Sequence, residues 1–416
     1  MLHRFGLKLA VALAGALVVS GCMTQLLLSG GALAATRLLG GPEWRHPEFA
    51  GALFRAAAPA EGDVALSPYG AASVLALAYT GATNETARGM AAALCLDDRG
   101  TEVAGVFQKI NRALVAAGAD DGIKIAFSNS LWPKTGLKLE QAFIDTAHRG
   151  FDADVIPVAM DESGRARINA FVKDKTSGMI PELIPPPIPA DAELILVNTL
   201  HFKAKWLDEF KRGETASRTF HAPGGDVEVP FMRRTGAYRI AQGAGYAALY
   251  LPYWRETAEM VVLLPDAATG LAPLAKRLGR GLLEEADRAA ELKQVGVALP
   301  KFSVKSALEF NEPFVKLGMG TAFSSLAEFP GIAPDVPLRI SRVLQEVRVD
   351  VDEAGTEAAA ATAAMMMRLS LPQPPEAEFV ADRPFLFAIR ERTTGVILFL
   401  GRVERPAAAP GGADAR

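Results

Sequence analysis

The stretch Asp352-Glu353-Ala354-Gly355-Thr356-Glu357-Ala358-Ala359-Ala360-Ala361-Thr362-Ala363-Ala364-Met365-Met366-Met367-Arg368-Leu369-Ser370 follows no ordinary pattern. Asp-Glu-Ala-Gly can reverse the chain. The residues after it are apolar but tiny. A surface helix would need a polar face, and this segment has none. Read as a strand, it turns Thr356, Ala358, Ala360 and Thr362 to one side and Glu357, Ala359 and Ala361 to the other. Such a strand could slide into a narrow slot, because no inward side chain needs a large hole. An Ala-rich core helix and a low-complexity loop are the competing readings, since Ala has the highest helix propensity.

The residues before it, Val343 to Val351, read as a strand. Val343, Val347, Val349 and Val351 share one face with Gln345, and Leu344, Glu346, Arg348 and Asp350 share the other. Further back, Leu194-Ile-Leu-Val-Asn-Thr-Leu-His-Phe202 is nearly all apolar, which reads as a strand covered on both faces. Its Leu194, Leu196, Leu200 and Phe202 lie with Asn198. A buried amide on each of two strands predicts either a shared polar cluster inside the sheet or two amides satisfied separately by backbone. Ser67-Pro68 ahead of an Ala/Leu/Val run predicts a helix with a serine cap and proline at its first position. Ile168 to Lys175 reads as an amphipathic helix, and Pro185-Pro-Pro-Ile-Pro189 as a stiff connection.

These stretches resemble the serpin family. Glu353-Ala-Gly-Thr-Glu-Ala-Ala-Ala-Ala-Thr362 is similar to the hinge of its inhibitory members. Val197-Asn-Thr-Leu-His-Phe-Lys-Ala-Lys-Trp206 resembles the third strand of its main sheet, and Asp63-Val-Ala-Leu-Ser67-Pro68 the entry to its second helix. Val297-Ala-Leu-Pro-Lys-Phe302, Leu317-Gly-Met319, Ala381-Asp-Arg-Pro-Phe385 and Phe399-Leu-Gly-Arg-Val403 follow in family order. The resemblance implies an α+β serpin fold: helices around a large central mixed sheet, two smaller sheets and an exposed reactive-centre loop. It implies an inhibitor of serine, and in some cases cysteine, proteases. The protease cleaves the loop, is held as an acyl-enzyme, and is carried away as the freed hinge inserts into the sheet.

Counting along the loop as the family does places the reactive bond between Leu369 and Ser370, with Arg368, Met367 and Met366 as alternatives. Leucine suits a chymotrypsin-like pocket, methionine an elastase-like one and arginine a trypsin-like one. The resemblance also implies a sheet-opening cluster of Ser67, Asn198, Gln345 and Trp206. Gln345 stands where the family usually has histidine, Gly70 where it often has a second serine, and Asp63 where it has asparagine. The alternative function is a non-inhibitory serpin acting as an envelope binding or structural module; the small-residue hinge argues for inhibition. Family members activated by heparin carry a basic cluster at about 84–100, where this chain has only Arg88 and Arg99, so no glycosaminoglycan activation is expected.

The first 21 residues read as an address. Arg4 and Lys8 precede an apolar run too short to span a bilayer as a helix. It ends in Val19-Ser20-Gly21-Cys22, which resembles a bacterial lipobox with Cys22 as the lipidated residue; an ordinary cleaved signal is the alternative. The expected organisation is a signal peptide over 1–21, a lipidated tether over 22–43, the folded domain over 44–406 and a disordered tail over 407–416. The expected location is the cell envelope, lipid-anchored on the periplasmic face or outer surface.

The rest of the sequence excludes other classes. The net charge of −3 becomes −5 once Arg4 and Lys8 are removed, with no basic excess for a nucleic acid. Two cysteines in 416 residues exclude a disulfide scaffold. Cys95 is expected to be a small buried hydrophobe, and His201 a structural residue. There is no Gly-x-Ser-x-Gly, His-Glu-x-x-His or Gly-Lys-Ser/Thr phosphate loop, so no enzyme, metal or cofactor is expected. A monomer is expected.

Overall fold

The computed structural model describes residues 44–96, 103–118, 122–176, 178, 180–356 and 374–407. The described residues open with helix α1 (His46–Ala57), strand β1 (Val64–Leu66) and helix α2 (Pro68–Tyr79). These are followed by α3 (Asn84–Ala93), α4 (Val103–Ala117), β2 (Ile123–Pro133), α5 (Gln141–Phe151), β3 (Ala153–Val155), α6 (Glu162–Lys175) and β4 (Leu194–Lys205). Next come β5 (Ala216–Phe220), β6 (Val227–Gly243), β7 (Tyr246–Pro252), β8 (Ala258–Pro265), α7 (Leu271–Arg277), α8 (Leu282–Ala289), β9 (Glu291–Pro300) and β10 (Phe302–Glu309). The C-terminal part holds α9 (Asn311–Phe314), β11 (Ile340–Asp352), β12 (Gly355–Thr356), β13 (Ala377–Val380), β14 (Phe385–Glu391) and β15 (Ile397–Val403).

Among the described residues the strands form a six-stranded sheet, β10-β11-β12-β4-β2-β3, and a nine-stranded sheet. In the latter, the long strand β6 pairs with β7 through one half and with β5 through the other, so the two smaller sheets of the expectation are hydrogen-bonded into one.

Helix α2 is buried along its whole length. Its apolar residues run all round, as a helix enclosed on every side requires. The Ser67 hydroxyl accepts from Gly70 N at 3.0 Å and caps the helix, and Pro68 occupies its first position. On the opposite face of the six-stranded sheet, α6 packs Ile168 and Val172 against Trp132, Ile195, Val197 and Leu344. Leu194, Leu196, Leu200, Phe202 and Val343, Val347, Val349, Val351 face the main core. Both strands therefore carry apolar side chains on both faces. Cys95 is half-buried against this core, and burial pushes its thiol pKa up.

His46 at the start of α1 has a pH consequence. Its Nε2 lies 2.8 Å from the Gly395 carbonyl, and burial pushes its pKa down to about 4. The ring is neutral when folded and titrates near its ordinary value of 6.5 when unfolded. Its contribution is complete above pH 6.5 and is lost as pH falls toward 4. From pH 7 to pH 5 the urea midpoint should drop by an amount worth about 1–2 kcal/mol. His46→Leu should remove that part of the drop; an unchanged pH profile in the variant contradicts the assignment.

Candidate functional site

Strands β4 and β11 run parallel and pair directly from Ile340↔Leu194 to Val347↔Leu200. Beyond that point they diverge and β12 enters between them. Thr356 pairs with Val351 on one side and Ala204 on the other; Gly355 pairs with Asp352 and Lys205. The hinge stretch thus begins as a strand wedged into the top of a seam that is closed below. Gly355 has φ +153°, and a Cβ there would lie 2.0 Å from the Ala204 carbonyl oxygen. Only glycine makes this approach without strain. The preceding turn is held by Asp352, whose Oδ1 accepts from Ala354 N at 2.9 Å and Gly355 N at 3.2 Å.

Trp206, one residue past β4, clasps this turn. Its Nε1 donates to Asp352 O at 2.9 Å and its backbone N to Ala354 O at 3.0 Å. The indole stacks on Tyr253, with centroids 4.5 Å apart and planes 9° apart. The Tyr253 hydroxyl and Thr356 Oγ1 share a hydrogen bond of 2.6 Å. Glu353 is gripped from three directions. Its carbonyl accepts from Phe210 N at 2.9 Å, and its carboxylate accepts from Lys301 Nζ at 2.9 Å and Thr215 Oγ1 at 2.8 Å. Burial opposes its charge, yet the bonds from Lys301 and Thr215 hold its carboxyl below the usual range.

Lower down the seam lies a polar cluster. Gln345 of β11 accepts from Ser67 N at 2.7 Å, and its Nε2 donates to Ser67 O and to Asn198 Oδ1, each at 3.0 Å. Asn198 of β4 donates to Asn129 Oδ1 of β2 at 2.9 Å, and Asn129 donates to Ser73 Oγ of α2 at 2.8 Å. Ser67, Ser73, Asn129, Asn198 and Gln345 are all at most 1% exposed. The network bolts three strands to the capped end of α2. Of the two alternatives the sequence left open, the shared cluster is correct.

Ser67, Asn198 and Gln345 meet in this lower cluster, and Trp206 lies higher on the same side of the seam. It lies eight residues along from Asn198, roughly 26 Å on an extended chain, and belongs to the upper clasp. Of the hinge residues, Glu353, Gly355 and Thr356 lie at the top of the β4–β11 seam. Glu357, Ala358, Ala359, Ala360, Ala361, Thr362, the candidate reactive-bond residues Met366, Met367, Arg368, Leu369, Ser370, and Cys22 lie outside the described residues. Sequence reasoning missed Asn129, although Ile125, Phe127, Asn129 and Leu131 alternate as plainly as the residues of β4 and β11. It also missed Tyr253, Thr215 and Lys301, which come from loops and strand ends with no periodic signal. Asp63, which departs from the family asparagine, accepts from Glu404 N at 2.6 Å and Arg405 N at 2.9 Å.

Gly70 has a steric role in the lower cluster. A Cβ there would fall 1.9 Å from Asn198 Oδ1. Gly70→Ala must push the amide off its partners and should cost about 1–3 kcal/mol, read as a fall in thermal midpoint. An unchanged midpoint would show that Asn198 can relax freely.

The described residues thus hold Gly355 and Thr356 as a short strand at the top of a seam that is paired directly below. The family model described as Serpin (serine protease inhibitor) matches residues 45–406. The chain belongs to the serpin family, and is an inhibitor-type protein rather than an enzyme. It is 34% identical over 358 residues to the leukocyte elastase inhibitor of Bos taurus, covering 83% of this chain and 93% of that one. It is 33% identical over 356 residues to the glia-derived nexin of Mus musculus, covering 83% and 88%. The crystal structure of the thermophilic serpin tengpin in its native state superposes with a TM-score of 0.79 at 26% identity, covering 87% of this chain and 93% of that one.

Proposed function

We propose that this chain inhibits serine proteases by inserting its cleaved reactive loop into the β4–β11 seam, while tethered to the cell envelope by lipid on Cys22. The observation that carries the insertion reading is the position of Gly355–Thr356 between the two strands. Continued in the same register, Ala358 would meet Phe202 and Val349, and Ala360 would meet Leu200 and Val347. Thr362 would arrive between Asn198 and Gln345. Every one of those wall residues is at most 4% exposed. The inward row of the hinge is therefore small where the walls are apolar and carries a hydroxyl where they are polar. Each backbone bond gained on insertion is worth about 0.5–1.5 kcal/mol net. The uninserted state persists for kinetic reasons, with the lower cluster and the paired seam as the barrier.

The reactive bond in this reading is Leu369–Ser370, which directs the inhibitor toward chymotrypsin-like proteases. Cleavage at Arg368, Met367 or Met366 would redirect it toward trypsin-like or elastase-like ones. The related elastase inhibitors support a protease of the serine class. A monomer suffices for the mechanism. Limited proteolysis within 365–370 tests the fold-level claim. The cleaved protein should melt at a much higher temperature than the intact one, because its sheet has gained a strand; an unchanged melting temperature would mean a fixed loop and a non-inhibitory protein. For the anchor, labelled palmitate should enter the wild type and not Cys22→Ser; equal labelling would remove the lipid from the account.

A further inference from the structure

A cavity of about 520 Å³ opens where β5, β6, β9 and β13 meet on the nine-stranded sheet. It is half open to solvent and its lining is more polar than apolar. Arg218, Arg233 and Arg234 line it, with Glu378 and the backbone of Gly296. Arg234 is engaged: Nη1 donates to Glu209 O at 2.9 Å and Nη2 lies 3.1 Å from Asp208. Glu214, also in the lining, is paired with Lys211 at 2.8 Å. Arg218 and Arg233 are exposed and have no ion-pair partner among the described residues; the Arg218 guanidinium lies 5.9 Å from the centre of the Phe231 ring. Across the cavity the Glu378 carboxylate covers Gly296, where a Cβ would fall 2.4 Å from its oxygen. The uncompensated charges are two guanidiniums on one side and one carboxylate on the other.

The segment from Asp208 to Ala216 joins this cavity to the hinge. Thr215 lines the cavity while its hydroxyl donates to the Glu353 carboxylate. Phe210 of the same segment donates its N–H to Glu353 O. Arg234 ties Asp208 and Glu209 to the cavity wall.

We propose that the cavity binds a small polyvalent oxyanion, a phosphate or polycarboxylate, bridged by Arg218 and Arg233, and that its occupancy tightens the grip of Thr215 on the hinge. The planar guanidinium forks suit oxyanions geometrically as well as electrostatically. Glu378 confines the anion to the arginine side. A ligand that favours the gripped state slows hinge release in proportion to its preference for that state. The proposal concerns binding and the hinge turn alone, so it can fail or hold independently of protease inhibition.

The test is calorimetric titration of the full-length protein with inorganic pyrophosphate and, separately, citrate, at constant ionic strength. Hydrogen exchange of the Phe210, Ala354 and Gly355 amides is followed alongside. At least one anion should bind with submillimolar affinity and slow exchange at those amides; the tighter of the two tells phosphate from carboxylate chemistry. Arg218→Gln with Arg233→Gln should weaken binding at least tenfold, and Glu378→Gln should strengthen it. Thr215→Val should abolish the slowed exchange and, by reciprocity, weaken binding by the same factor by which the anion slows exchange in the wild type. Failure of both anions to bind, or equal binding by the double variant, overturns the site. Slowed exchange that persists in Thr215→Val overturns the coupling.

Discussion

Ala360→Arg should convert the inhibitor into a substrate. In the register set by Gly355–Thr356, residue 360 arrives between Leu200 and Val347, which are 4% and 0% exposed. An arginine there must either overfill the space, at about 1–3 kcal/mol, or leave a charge without a partner in the core, at several kcal/mol more. Insertion stalls at the fifth residue past the glycine, before the acylated protease has been moved far, and deacylation wins. The moles of inhibitor consumed per mole of protease blocked should rise at least tenfold. The melting temperature of the uncleaved protein should be unchanged, since residue 360 lies beyond the wedged strand. Ala359→Arg is the control: inserted in the same register, it would fall on the other parity, toward Arg348 and the α6 side, and should be milder. Equal effects at 359 and 360 would mean that the loop does not enter in this register.

Asn198→Ala should loosen the closed seam. The substitution removes the bonds to Asn129 and Gln345 together and leaves the Asn129 carbonyl oxygen facing an empty space. Losing two buried bonds costs about 2 kcal/mol or more, which corresponds to roughly thirtyfold faster spontaneous conversion to the inserted, inactive form if the cost falls on the native state. Loss of inhibitory activity on standing at a fixed sub-melting temperature measures it. The variant should start fully active and decay much faster than the wild type. A matching half-life would mean that the barrier lies in the upper clasp of Trp206, Tyr253 and Glu353 instead.

The parts of this machine that repeat with a period are readable from sequence. Alternation in 194–202 and 343–351 places Asn198 and Gln345 on the core face, and the serine-proline pair locates the cap of α2. The same alternation in β2 holds Asn129 equally visibly, but one polar residue in a strand with Ser128 and Ser130 beside it does not stand out. The upper clasp is not readable. Trp206 can be placed at the upper end of β4 from the sequence, but sequence order does not say which groups it meets there. Tyr253, Thr215 and Lys301 reach the hinge from three separate elements, and only the fold brings them to it. Gly70 reads as a departure from the family pattern; its absent Cβ is what lets Asn198 approach α2.

Covalent trapping is the centre of the account. The full-length protein should be incubated with chymotrypsin, trypsin and pancreatic elastase in turn, resolved on denaturing gels, and the released C-terminal peptide weighed. The account predicts a complex with at least one protease that survives denaturation, and a peptide beginning at Ser370. A peptide beginning at Leu369 moves the bond to Arg368 and leaves the mechanism intact. Clean cleavage by all three, with no complex and no rise in the melting temperature of the cleaved protein, contradicts it.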